Sequence, residues 1–134
     1  MANLIQRVLV RTDLGMSTGL LAAQVAHLHA RPFIVTYRLA PSPGSAQFDH
    51  VGDVKAWMAT PYLFVHGVPN IEVLNYFATE CDNQNVFRYD WHDTVYLDIS
   101  PTQTKAFESV LIGIAIGPDD SDAIKTIVGD LPLL

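Results

Sequence analysis

Hydrophobic and polar positions along the chain divide it into short, well-bounded units. Residues 4–10 are apolar and partly β-branched around Val8, Leu9 and Val10, the pattern of a strand covered on both faces. Arg11, Thr12 and Asp13 close it with polar groups, and Gly15 supplies a turn. Ser17 or Thr18 can then cap a helix over 17–30, which Pro32 is expected to end. On that helix Leu20, Gln24 and His27 share one face, and Leu21, Val25 and Leu28 form the neighbouring apolar stripe.

Residues 31–47 read two ways, as a strand at Phe33–Tyr37 or as more helix, before the loop Pro41–Ser45. A short helix is expected over 48–58 and a second strand at 62–66. Pro69 opens a helix with the stripe Ile71, Val73, Leu74 and Phe77. Residues 86–89 are a short edge strand or a loop, and 94–97 are a better strand. Residues 101–108 read as a polar, helix-like excursion. Residues 110–116 form the most apolar segment and predict a central strand, closed by Gly117-Pro118. Gly113 within it suits close packing of a helix. A last helix is capped by residues 119–121 and stopped by Gly129, and the apolar tail 131–134 is expected to pack down.

Strands alternating with helices predict one domain over residues 1–134. Its expected fold is a three-layer α/β/α sandwich around a mixed, mostly parallel sheet of about four strands. About half of the residues are apolar, which excludes disorder as the main state. Cys81 is the single cysteine, so a disulfide framework is excluded within one chain, and the usage fits a reducing, cytoplasmic setting. Cys81 has no visible activating partner. No signal peptide and no membrane span is expected. His50, His66 and His92 lack metal-ligand spacing, so neither a metal nor another cofactor is expected. The formal charge of −6 weighs against nucleic acid. Residues 1–40, however, carry Arg7, Arg11, Arg31 and Arg38 against Asp13 alone, a candidate basic face for phosphates.

The opening segment resembles that of the type 2 peptidyl-tRNA hydrolases, whose pattern is R-x-D-L-x-M-x-x-G-K-x-A-A-Q-x-x-H after a strand. Arg11, Asp13, Leu14, Met16, Gly19, Ala22, Ala23, Gln24 and His27 fall in register without a gap. Leu20 stands where the family has its catalytic lysine, and Thr18 replaces a basic residue often found in the turn. The middle follows the family order loosely through Trp57, the strand at 62–66 and Glu72. The second family signature, D-A-G-R-T-Q and then A-I-G-P, is matched by Asp98, Thr102 and Gln103 and by Ala115–Pro118. A rival register at Asp90 and Thr94 lacks the glutamine and the preceding apolar strand.

The resemblance implies cleavage of the ester between peptide and tRNA without a metal. Asp98 would activate or orient water and Thr102 would hydrogen-bond it. His27 is read as an ordinary helix histidine or, more sharply, as a general base, and His27, Arg11 and Lys105 are the candidates to replace the missing cation. Arg11, Asp13, Thr18, Leu20, Gln24 and Gln103 would line the substrate site. The partners implied are tRNA and, as often in the family, a second copy of the chain. The missing lysine keeps two other readings open: a silent relative that binds a protein or nucleic-acid end, and a hydrolase of a different small substrate. Trp91 reads as a stacking platform or as core.

Overall fold

The computed structural model describes residues 4–39 and 62–134. The expected helix at 48–58, Trp57 and the loop Pro41–Ser45 lie outside these residues. Four strands, β1 (Leu4–Arg11), β2 (Leu63–Val68), β3 (Arg88–Ser100) and β4 (Gln103–Asp120), form one sheet in the order β2-β1-β4-β3. Three helices, α1 (Thr18–Leu39), α2 (Ile71–Asn83) and α3 (Ser121–Val128), cover it. The fold is α/β, as expected. The phrase "mostly parallel" needs one correction. β1, β2 and β3 run the same way, but only β1 and β2 are paired in parallel, because β4 runs antiparallel between β1 and β3.

Alternation along β1, and along β4 up to a bulge at Ile112, builds two cores. Leu9, Ile114 and Ile116 face α2 and α3, where they meet Leu74, Phe77 and Ile124. Val8, Val10, Ile112 and Ala115 face the other way and pack with Leu28 of α1. Gly113 marks the closest approach: a Cβ there would lie 2.3 Å from the Leu9 carbonyl oxygen and 2.9 Å from Leu28 Cδ1.

Local chemistry explains the boundaries. Gly15 takes φ 68° in the turn after β1. Ser17 Oγ accepts from the Leu20 N–H at 3.2 Å and caps α1. Pro32 does not end this helix, which continues to Leu39. The buried proline forfeits one backbone hydrogen bond while the helix carries on. Pro69 stands before the first turn of α2 rather than in it: Asn70 is the cap, and its side chain accepts from Val73 N–H. Asp120 caps α3, and Gly129 ends it at φ 59°.

The larger departures are in the second half. The two short strand signals at 86–89 and 94–97 belong to one strand, β3, and the excursion at 101–108 is the start of β4. Register shifts between Trp91 and His92 and between Asp93 and Val95 each put an extra residue in β4 and break the alternation there, while β3 keeps its own. Ser109, at φ 52°, sits opposite the second of them. Among the described residues no helix is long and apolar enough to cross a membrane.

The tail docks on β2, where Leu133 bridges His66 and the Leu134 N–H donates to the Val65 carbonyl. His66 is buried. Its Nδ1 donates to the Leu131 carbonyl at 2.9 Å, while Nε2 accepts from Arg7 Nη1 at 2.8 Å. That pattern requires a neutral ring. Burial pushes its pKa below the usual histidine value, and the Arg7 charge adds to this. The unfolded chain therefore takes up this proton first as pH falls through about 6.5. Folding stability should decline from there toward the lower folded pKa. Thermal melts at about pH 7.5 and about pH 5.5 should show a larger drop for the wild type than for His66→Gln. Equal drops would remove His66 as the cause.

Candidate functional site: the groove between α1 and β3

The polar face of α1 lies against the α1-facing side of β3. Gln24, only 2% exposed, joins the two. Its Oε1 accepts from the Trp91 indole N–H at 2.6 Å, and its Nε2 donates to Asp93 Oδ2 at 3.0 Å. An indole N–H can only donate, so the amide carbonyl must face Trp91 and the amide nitrogen must face Asp93. Asp93 Oδ1 accepts from the Thr94 backbone N–H at 2.8 Å. The half-buried carboxylate is thus held from two sides and retains acceptor capacity toward solvent.

His27 and Arg31 continue the same helix face. The His27 ring lies 5.0 Å from the Trp91 ring, and Arg31 Cζ lies 4.7 Å from it. Trp91 is therefore occupied as a packing partner of α1 and donor to Gln24. Leu20 is half-buried one turn before Gln24, and Thr18 is exposed at the start of the helix.

A second cluster sits at the carboxyl end of β1. Arg11 grips Asp13 through Nε at 3.0 Å and Nη2 at 2.9 Å, and its Nη1 reaches the Leu111 carbonyl at 3.2 Å. The bidentate bond from Arg11 holds the Asp13 carboxyl below the usual carboxylate range. The pair borders a cavity of about 320 Å³ that also meets Leu14, Val95, Phe107 and Val110. Asp93 pairs with Val110, and Val95 follows it two residues later on the same strand, so the cavity adjoins the groove.

The residues expected to perform the chemistry lie elsewhere. β3 and β4 run on past Trp91, which is level with the end of β1, and form an arm. Asp98 pairs with Thr104 in this arm, five strand residues beyond Asp93, or roughly 16 Å. Thr102 is exposed in the turn, with its backbone N–H and hydroxyl against Ser100 Oγ at 3.3 and 3.4 Å. Gln103 is exposed beside it. The length of the arm sets Asp98, Thr102 and Gln103 apart in sequence position and strand register from the part of β3 that meets Gln24.

The rival register fares no better. Asp90 points to the other side of the sheet, where Arg88 bridges it to Asp82 of α2. Arg88 holds the Asp82 carboxyl below its ordinary pKa range. The carboxylate that does reach Gln24, Asp93, was missed. Its signal was present: it lies two residues after Trp91, hence on the same strand face.

A family model described as peptidyl-tRNA hydrolase PTH2 matches residues 4–134. The chain belongs to that family. No curated protein sequence matches the chain. The PTH2 match takes in the whole described sheet, including the arm. Within this PTH2 chain, no three His, Cys, Asp or Glu side chains gather to hold a metal ion among the described residues. Cys81 is buried against α2's core, and burial pushes its thiol up to about 12, which keeps it unreactive.

Proposed function

We propose that this PTH2 member hydrolyses the ester between a peptide and tRNA in the groove between α1 and β3, with Asp93 in place of the carboxylate that the sequence pattern suggested. The observation that carries the reading is the chain from Trp91 through Gln24 to Asp93. It aims a carboxylate at the helix face that bears Leu20 and His27. Asp93 accepts a proton from water as the water oxygen attacks the ester carbonyl. The tetrahedral intermediate then expels the tRNA 3′ oxygen, which takes the proton back from Asp93 and restores the carboxylate. His27, exposed on this face, can donate to the developing oxyanion. Arg11 is drawn away by Asp13, and Lys105 rests over Phe107 on the arm.

Leu20 favours a second reading, a relative that binds tRNA-linked ligands or a partner protein without turnover. Restoring the amine separates the two. Release of peptide from N-acetyl-aminoacyl-tRNA should rise in Leu20→Lys by about 10²–10³-fold, the usual worth of one oxyanion-stabilising group. Inactivity of both the wild type and Leu20→Lys would abandon hydrolysis and leave binding, which would show as salt-sensitive retention of tRNA.

A further inference from the structure

The cavity beside Asp93 has no part in the chemistry described so far. We infer that it is a subsite for an uncharged, apolar amino-acid side chain, the one next to the ester in the acyl group. This rests on the hydrolase reading for its orientation, and on the cavity alone for its chemistry.

Position comes first. Two residues of the cavity wall flank Asp93 in the sheet, Val110 as its register partner and Val95 two residues further along β3, so the cavity adjoins the strand segment that carries the carboxylate. Size comes second. About 320 Å³ lies at the small end of ligand sites, enough for one side chain and its backbone rather than a whole nucleotide and peptide. Charge comes third. Among the described residues the charged groups on the wall are Arg11 and Asp13, which neutralise each other in a bidentate pair, and Leu14, Val95, Phe107 and Val110 supply the rest. A charged side chain would lose its water there without gaining a free counter-charge.

Arg11 adds a polar anchor. It commits three of its five N–H groups, two to Asp13 and one to Leu111. The two remaining N–H groups belong to a residue that lines the cavity, and they leave Arg11 with capacity for an acyl carbonyl oxygen. Phe107 is 39% exposed, so this wall of the cavity is open to an entering group.

The experiment uses the full chain and non-hydrolysable probes. N-acetyl-L-phenylalaninamide and N-acetylglycinamide are titrated while the methyl resonances of Leu14, Val95 and Val110 are followed. The phenylalanine probe should bind at least about tenfold more tightly and shift those methyls, as burial of an aromatic side chain requires. Leu14→Trp, which fills the cavity, and Phe107→Ala, which removes a wall, should each shrink that ratio while signals from the α2 and α3 side stay in place. Equal affinity for the two probes overturns the subsite, as does a ratio untouched by both substitutions. Release from N-acetyl-phenylalanyl-tRNA and N-acetyl-glycyl-tRNA separates the two claims. Probe discrimination without release from either tRNA keeps the subsite and sinks the hydrolase reading. Release from both at one rate, with equal probe binding, keeps the hydrolase and sinks the subsite.

Discussion

Asp93→Asn is expected to slow peptide release from N-acetyl-aminoacyl-tRNA by about 10²–10⁴-fold, the range for loss of a general base. The argument rests on what asparagine keeps and loses. Its oxygen can still accept from Gln24 Nε2, 3.0 Å away in the native protein, so the groove keeps its shape. Its amide nitrogen would then face the Thr94 N–H, a donor against a donor, which costs about 1 kcal/mol. That cost lowers the melting temperature slightly without emptying the folded state, so a fall in kcat at nearly constant KM reports chemistry. Trp91→Phe deletes the indole donor to Gln24 and part of the ring that His27 and Arg31 pack against, and should produce a smaller loss of the same kind. Asp98→Ala provides the contrast. The sequence register expects it to abolish release, whereas its place on the arm predicts little change. Loss in Asp98→Ala with full activity in Asp93→Asn would reverse the assignment.

Gly113→Ala is expected to be the most damaging small substitution in the fold, at about 3 kcal/mol or more. The new Cβ would need the space of the Leu9 carbonyl oxygen, 2.3 Å away, and of Leu28 Cδ1, 2.9 Å away. The first is backbone of the neighbouring strand and cannot rotate aside. Either the β1–β4 ladder opens or α1 lifts off the sheet, and α1 carries Gln24. The melting temperature should fall by about 10 °C, and release should fall with the folded fraction. Gly19→Ala is the control. Nothing lies within 4 Å of its added Cβ, and it sits in the first turn of α1. Alanine there should raise stability by about 0.5–1 kcal/mol. Urea titrations of the two variants check both signs, and a neutral Gly113→Ala would refute the packing argument.

Much of the architecture was legible because local chemistry carries it. The run at 4–10, the Gly15 turn, the Ser17 cap, the apolar segment 110–116 and the Asp120 cap each act over a few residues, and each is where periodicity and capping rules put it. Pro32 shows the limit of such rules. A buried proline inside α1 is an acceptable loss when the rest of the helix packs, and sequence position alone does not reveal that packing. β3 shows another. Its polar middle, Asp90 to Asp93, reads as a break between two elements although the strand is continuous, and the long arm takes the matching Asp, Thr and Gln with it.

The amino-acid sequence by itself determined the family, the helix face of Leu20, Gln24 and His27, and the absence of the lysine from it. These depend on residue identity and on helical spacing, which are properties of a short segment. Only the tertiary structure decided which carboxylate meets that face. Asp90, Asp93 and Asp98 are alike as residues in a strand. Strand alternation, bulges and the length of the arm place one behind the sheet, one against Gln24 and one far along the hairpin, and those are consequences of how β3 pairs with β4 along its length.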